Sequence, residues 1–343
     1  MSKKNSWFKN YQQIGNIKGQ RDIDYRKKFL KSEDFSGNSV IDIGCNMGQL
    51  CRYSKELGAT NVLGVDYDVD VIKKAETLNT YDDVLFQTDD IDNYLFYTDL
   101  KNFDVCLILS VIGTEELNNK GGILAKLSQK TNKVMYIEGH HYVMKYAQLL
   151  NMILQNTTFS SIEYLGESYD NISYEQQNKS RSIFRCSRDT LNIERFLIKM
   201  SDILNCDGNK INLINGHACT GKSYIKNKLI EHLNNNGYNM TLVYTNNREK
   251  TIHVDELKNV VILDDIPTEE LGKYVTEYEK IIVFDYEAIE YLKKHKIDNI
   301  FYVKQNLVKR QQCKPDYKYN RSVKLHIEND MFIENIYHID NLT

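Results

Sequence analysis

Several features that define other protein classes are missing from this 343-residue chain. No run of 18 apolar residues occurs, so the sequence predicts no membrane span. Polar residues follow Met1, which argues against a signal peptide. The seven cysteines form no C-x-x-C pair, which excludes the usual zinc spacings and favours reduced thiols in a cytoplasm. Proline occurs only twice, which we attribute to coding composition rather than to function.

Charge is nearly balanced overall but unevenly distributed. The net charge of −3 argues against a protein that coats bulk DNA. Residues 1–31 nevertheless hold nine Lys or Arg against two Asp, and residues 304–324 hold seven against one. With 41% apolar and 27% charged residues, the composition is that of a globular protein, and the length predicts two domains.

Two glycine-containing loops each follow a short apolar strand and precede a helix. The first is residues 42–48 (DIGCNMG), and the second is residues 216–223 (GHACTGKS). Each loop is followed by its own strand that ends in Asp, so they belong to separate units. The sequence therefore predicts an α/β protein with two doubly wound domains, the second smaller than the first.

The N-terminal half alternates between β-type runs and helical stretches, which predicts a doubly wound sheet. The predicted strands are residues 39–43, 61–66, 83–87, 103–110, 133–138, 160–166 and 181–187. A helix is expected from about Gly48 to Leu57. Asp66 lies at a strand end 22 residues after Gly44, where a carboxylate can accept both hydroxyls of a ribose.

Residues 40–48 resemble motif I of class I S-adenosylmethionine (SAM)-dependent methyltransferases, and the resemblance extends over roughly residues 35–190. It implies a Rossmann-like domain in which Asp42 and Gly44 frame the methionine part of SAM. Asp66 would hold the ribose, and Asp89 with the backbone of Asp90 would read the adenine. The implied cofactor-binding residues are Asp42, Gly44, Cys45, Asn46, Gly48, Asp66, Asp89, Asp90 and Ser110.

Two alternatives to a methyltransferase loop were weighed. The dinucleotide pattern G-x-G-x-x-G lacks its second glycine because Asn46 follows Cys45, which favours a methyltransferase over a dehydrogenase. The loop alone is also compatible with a tight turn in a cofactor-free α/β domain. Residues 1–34, rich in aromatic and basic side chains, form either a lid over the cofactor or a segment packed on the sheet edge.

Candidate catalytic residues follow the fifth predicted strand. Either His140 or His141 could act as a general base for an acceptor that loses a proton. The alternative is that one histidine caps a helix and the other is solvated. The Asn/Asp-Pro-Pro-aromatic signature and the Pro-Cys pair of two DNA-base methyltransferase classes are missing. Small molecules, proteins and nucleotide or RNA-end acceptors therefore remain open.

The second loop fully matches G-x-x-x-x-G-K-[ST] and resembles the Walker A element of P-loop NTPases and kinases. The resemblance implies ATP or GTP held by backbone amides between Gly216 and Gly221, with Lys222 on the phosphates. Ser223 would ligate Mg²⁺. The run 260–265 resembles Walker B, so Asp264 would hold the Mg²⁺ shell and Asp265 would take a proton or orient a water.

Three readings of the basic stretch 304–324 stay open. It could clamp phosphates through Lys309 and Arg310, form a solvated face, or bind nucleic acid with Tyr317 and Tyr319. We assign residues 191–209 to a linker, residues 210–343 to a P-loop domain, and a hairpin to residues 321–343. The favoured hypothesis is a bifunctional methyltransferase and phosphotransferase. A hydrolysing switch in the second domain and a non-catalytic SAM-binding module are the alternatives.

Overall fold

The computed structural model describes residues 23–114, 117–140, 144–169, 180–208, 210–215, 222–244, 248–252, 259–264, 270–284, 292, 296–303 and 333–339. The chain divides into two compact units. Unit 1 comprises residues 1–159 and 163–188, and unit 2 comprises residues 160–162 and 189–343. None of the helices in these described ranges is both long enough and apolar enough to cross a membrane.

Unit 1 alternates strands and helices as the sequence predicts. Its elements are α1 (Asp24–Lys27), α2 (Ser32–Phe35), β1 (Ser39–Ile43), α3 (Gln49–Glu56), β2 (Asn61–Asp66), α4 (Val69–Leu78), β3 (Val84–Thr88), α5 (Tyr94–Asp99), β4 (Phe103–Leu109), α6 (Lys120–Lys130), β5 (Thr131–Glu138), α7 (Tyr146–Asn156), β6 (Ser161–Ser168) and β7 (Arg181–Ser187). Each of the seven strands lies within two residues of its predicted bounds.

The sheet of unit 1 has the strand order β6-β7-β5-β4-β1-β2-β3. Strands β1 to β5 are parallel, and β7 runs antiparallel to β5. From β1 the chain moves to β2 on one side, and from β4 it moves to β5 on the other. The carboxyl ends of β1 and β4 therefore flank a topological switch point, where doubly wound sheets bind ligands. This predicted class of fold is confirmed for unit 1.

Local side-chain chemistry explains where several helices begin. The carboxylate of Asp68 accepts a hydrogen bond from the amide of Asp70 and caps α4, and Asn119 caps α6 in the same way. All residues of β4 except Asp104 are apolar and buried, and so are residues 134–137 of β5, as parallel strands covered on both faces require. Helix α2 is anchored to β7 because Arg185 donates two 2.7 Å hydrogen bonds to Asp34.

Unit 2 contains the remaining helices and strands of the described residues. Its further elements are α8 (Ile193–Asn205), β8 (Lys210–Asn215), α9 (Lys222–Asn235), β9 (Asn239–Tyr244), β10 (Arg248–Ile252), β11 (Asn259–Asp264), α10 (Leu271–Glu277), β12 (Lys280–Phe284), β13 (Ile297–Val303) and β14 (Ile333–Ile339). The strand order is β10-β9-β11-β12-β8-β13-β14. Only β10 runs antiparallel to its neighbour in this sheet.

Two expectations about unit 2 need correction. Residues 191–209 are not a linker: Phe196, Met200 and Leu204 of α8 lie in the core of unit 2, at most 3% exposed. The amphipathic spacing of these residues requires a partner surface, and the sheet of unit 2 provides it. The predicted terminal hairpin is also revised, since β14 pairs in parallel with β13. Residues 321–332, its other part, lie outside the described residues.

Candidate functional site

A cavity of about 450 Å³ opens at the carboxyl ends of the strands of unit 1, at the topological switch point. Six of the predicted cofactor-binding residues line it: Gly44, Asn46, Asp66, Asp89, Asp90 and Ser110. Three others, Asp42, Cys45 and Gly48, are not among its lining residues. The cavity thus collects polar groups from four different strand ends.

The loop after β1 depends on left-handed backbone. Gly44, Asn46 and Gly48 have φ values of +72°, +50° and +71°. The amides of Gly44 and Cys45 both donate to the carbonyl of Val65, at 2.8 and 3.0 Å, which ties the loop to β2. A Cβ atom on Gly44 would lie 2.4 Å from Cγ2 of Val111, so the loop also packs directly against the end of β4. Glycine at position 44 is required by both conformation and space.

Asp66 presents a fixed carboxylate to the cavity. Its Oδ2 accepts a hydrogen bond from the amide of Asn46 at 2.9 Å, and its Oδ1 accepts one from the amide of Asp68 at 3.1 Å. Burial raises the pKa of this carboxyl, while backbone hydrogen bonds from Asp68, Asn46 and Tyr67 oppose the shift. A carboxylate has about four lone-pair sites, so Asp66 keeps capacity to accept a hydroxyl donor of a ligand.

Asp42 lies behind the loop, and only 2% of it is exposed. Burial raises its pKa to about 7, against the opposing effects of a hydrogen bond from Cys51 and the charge of Arg26. The Cys51 thiol lies 3.4 Å from Oδ2 of Asp42. Burial also raises the pKa of Cys51 well above its usual value, so this thiol is an inert donor. Asp42 therefore supports the loop from the core and titrates near neutrality.

The turn after β3 is organised by its own carboxylates. The amide of Asp89 donates to the carbonyl of Asp66 at 3.0 Å. The amide of Asp90 donates to Oδ1 of Asp89 at 2.8 Å. If this amide also contacted an adenine, its hydrogen would be shared between Asp89 and the base. The apolar residues Val71 and Ile91 also line this end of the cavity. They offer faces on which a planar base can pack.

Ser110 at the end of β4 is the centre of a buried polar network. Its φ of +63° is unusual for serine. Its hydroxyl accepts hydrogen bonds from Nη2 of Arg26 at 2.7 Å and from Nη1 of Arg181 at 2.6 Å, and it donates to Oε2 of Glu138. Those bonds occupy the donor and both lone pairs of the hydroxyl, so Ser110 holds this part of the cavity wall in place.

No sequence pattern indicated the roles of Arg26, Arg181 and Glu138. Each is at most 4% exposed, and charged side chains are seldom buried without partners. Glu138 was visible as a carboxylate at the end of an apolar strand, two residues before His140. The two arginines come from α1 and β7, and only the fold brings them to Ser110.

His140 lines the cavity, whereas His141 lies outside the described residues. The carbonyl of His140 accepts a 2.8 Å hydrogen bond from the amide of Met144. Gly113 packs beneath it, because a Cβ there would lie 3.0 Å from Cβ of His140. His140 is thus held at the end of the cavity that Ser110 also lines.

The second predicted site is described only in part. Lys222 and Ser223 are the first residues of α9, directly after the loop that follows β8. Asp264 ends β11 and forms an ion pair with Lys226, one turn further along α9. The residues Gly216, Gly221, Asp265, Lys309 and Arg310 lie outside the described part of the chain. Within that part, no group of three or more metal-ligating acidic, His or Cys side chains occurs.

Comparison with known proteins agrees with the geometry of unit 1. A family model for a methyltransferase domain matches residues 34–186. Ribosomal protein L11 methyltransferase of Tolumonas auensis is 29% identical over 112 residues, which is 33% of this chain and 37% of that protein. A probable RNA methyltransferase of Arabidopsis thaliana is 42% identical over 60 residues, 17% of this chain and 19% of that protein.

Among solved structures, an S-adenosylmethionine-dependent methyltransferase from Mesorhizobium loti has a TM-score of 0.38 and 13% identity. That similarity covers 47% of this chain and 95% of the other. This chain spans less than half the length of the two curated relatives. Each of these three similarities covers less than half of this chain.

Proposed function

We propose that residues 34–186, which match a family model for a methyltransferase domain and have a doubly wound α/β fold, transfer a methyl group from SAM to an acceptor. The observation that supports this most directly is the paired arrangement of Asp66 and the loop after β1. The carboxylate of Asp66 is aligned by the amide of Asn46, so the ribose site and the methionine site share one rigid unit. A tight turn in a domain without a cofactor would not require a hydrogen bond between its loop and a carboxylate at the end of the next strand.

When bound, SAM supplies an electrophilic methyl group, so the protein mainly has to orient the acceptor and exclude water. Gly44 allows the backbone to approach the ligand, and Asp66 holds the ribose. The buried Ser110 network keeps the wall between β4 and β5 in one conformation. His140, at this wall, takes a proton from the acceptor if the acceptor has to lose one.

Calorimetry with SAM tests the cofactor proposal. Asp66→Ala should weaken binding by about 2–3 kcal/mol, because charged hydrogen bonds to the ribose are lost. Glu76→Ala, which removes an exposed carboxylate from α4, is the matched control and should leave the affinity unchanged. Equal affinities for the wild type and Asp66→Ala would refute the ribose role.

For the acceptor we propose a small molecule, a nucleotide or an RNA end. A panel of tritium-transfer reactions with these classes and with proteins identifies which one takes the label. His140→Gln should lower transfer to a proton-losing acceptor by about 10²- to 10⁴-fold at neutral pH, the usual contribution of a general base. Undiminished transfer by that variant would remove His140 from the chemistry.

We further propose that unit 2 binds ATP or GTP with Mg²⁺ and transfers the terminal phosphate to an acceptor. The local fold supports this in two ways. The G-x-x-x-x-G-K-S loop connects β8 to α9, the strand–loop–helix context that a phosphate-binding loop needs. From β8 the chain crosses to β9 on one side, and from β13 it continues to β14 on the other, so the loop follows a strand at a switch point.

Incubation with γ-labelled ATP distinguishes phosphotransfer from hydrolysis. Label on an acceptor supports the phosphotransferase, whereas free phosphate alone supports the alternative, an NTP-hydrolysing switch. Lys222→Ala should abolish either reaction while leaving SAM binding intact. Lys228→Ala is the control, because Lys228 lies on the same helix and pairs with Glu231 at the surface. Full activity of Lys222→Ala would exclude the phosphate-binding loop.

A further inference from the structure

Asn46 combines two unfavourable features in the loop after β1. Its φ of +50° lies in the left-handed region, between Gly44 and Gly48, which share that conformation. Glycine adopts this backbone at little cost, while asparagine tolerates it less well. The side chain is also buried, with 8% of the residue exposed. A glycine would satisfy the backbone equally well, so the asparagine side chain needs its own explanation.

The side-chain oxygen of Asn46 is an acceptor with nothing donating to it. Oδ1 is buried and has no hydrogen-bond partner among the residues that the structure describes. A buried carbonyl oxygen without a donor costs free energy, and such groups are rare in folded proteins. Asn46 also lines the cavity. Its oxygen is therefore available to a donor that arrives with a ligand.

The neighbours of Asn46 indicate which donor this is. The amide of Asn46 already holds Oδ2 of Asp66, whose carboxylate is suited to the ribose hydroxyls. Asp42 is buried behind the same loop. A third carboxylate here would repel the other two, whereas a neutral amide oxygen accepts a cationic donor without adding charge. The remaining strong donor of the proposed cofactor is its α-ammonium group.

We infer that Oδ1 of Asn46 accepts a hydrogen bond from the α-ammonium group of the methionine part of SAM. This inference rests on the proposed SAM-binding function and adds a specificity-determining residue to it. The strained asparagine is retained because its oxygen recognises the amino group of the ligand. A ligand without that amino group gains nothing from Asn46.

A ligand-and-variant cycle tests this by calorimetry, without any methylation reaction. The two ligands are S-adenosylhomocysteine (SAH) and its analogue in which hydrogen replaces the α-amino group. Asn46→Gly keeps the left-handed backbone and removes the oxygen. We expect about 10- to 100-fold weaker binding of SAH, the usual effect of a hydrogen bond to a charged group. Binding of the deaminated analogue should change by less than about twofold.

Several outcomes would overturn the inference. Unchanged SAH affinity of Asn46→Gly shows that the oxygen is not used. An equal loss for both ligands shows that it contacts another part of the nucleoside. If Asn46→Gly does not fold, Asn46→Ala removes the same oxygen without adding charge and must lose the wild-type preference for SAH over the analogue. By contrast, a wild-type protein that binds neither ligand refutes the proposed cofactor itself.

Discussion

Arg26 and Glu138 form a two-point ion pair across 112 residues of sequence. Nε of Arg26 donates to Oε1 of Glu138 at 3.3 Å, and Nη2 donates to Oε2 at 2.5 Å. The side chains are 4% and 0% exposed, respectively. The pair ties the helix α1 to the carboxyl end of β5 and supports Ser110 at the cavity wall.

Loss of one partner should therefore be costly. Arg26→Met leaves the Glu138 carboxylate buried beside one cation fewer, and we expect the free energy of unfolding of unit 1 to fall by about 3–5 kcal/mol. The double variant Arg26→Met/Glu138→Leu should recover part of that loss, because it leaves no uncompensated charge of this pair. Urea denaturation measures both. Lys28→Met, at an exposed position next to α1, is the control. If Arg26→Met lowered the free energy of unfolding no more than Lys28→Met does, the prediction would be wrong.

Gly44 and Gly37 separate backbone strain from steric conflict. Both have φ near +72°, but a Cβ on Gly37 meets nothing within 4 Å, whereas one on Gly44 lies 2.4 Å from Val111. Gly37→Ala should cost about 1–2 kcal/mol of stability from the left-handed backbone alone. Gly44→Ala should cost more and weaken SAM binding as well. Adding Val111→Ala should restore part of the loss, and equal effects at positions 44 and 37 would exclude the clash.

The carboxyl group of Asp42 should make stability depend on pH in an unusual direction. Its pKa is near 3.8 when exposed and about 7 in the fold, because burial disfavours the charged form. The folded protein thus holds an extra proton between these values. This contribution to stability is complete below pH 3.8 and is lost as pH rises through 7.

Asp42→Asn, which cannot ionise, removes this dependence. The difference in free energy of unfolding between wild type and Asp42→Asn should change between pH 5 and pH 8, to the disadvantage of the wild type. The pKa of Asp66 is also raised, but Asp66 is present in both proteins, so its contribution cancels in the difference. Parallel pH profiles of the two proteins would show that Asp42 titrates normally.

Helix α8 should behave as part of unit 2. Phe196 is fully buried, and its ring centroid lies 5.1 Å from that of Phe301 in β13. Phe196→Ala should destabilise unit 2 by about 3–5 kcal/mol through the cavity it leaves. Hydrogen exchange should then accelerate in β8 and β13 but not in β1 and β4. Ile198→Ala, at a position on the same helix that is 53% exposed, should have little effect. If both variants destabilised unit 2 equally, the prediction that α8 packs in the core of unit 2 would be wrong.

Local patterns were sufficient for most of unit 1. Rules that act over a few residues predict the apolar strand ends, the glycines of the loop and the spacing to Asp66. These features were sufficient to predict where the cavity lies. The role of Arg26 could not be read in this way, since nothing near it in sequence distinguishes it from the other basic residues of 1–31. The hydrogen-bond partners of the Ser110 hydroxyl could not be anticipated for the same reason, because they come from α1, β5 and β7.

The chain's own order of residues determined the elements, the loop geometry at Gly44 and Gly48, and the resemblance to a methyltransferase, because short-range backbone preferences and apolar periodicity decide these. Tertiary structure alone decided which charged groups are buried together, that α8 packs into unit 2, and that Asn46 keeps an oxygen without a donor. Burial and long-range pairing depend on which strands become neighbours, and that depends on the packing of the whole sheet.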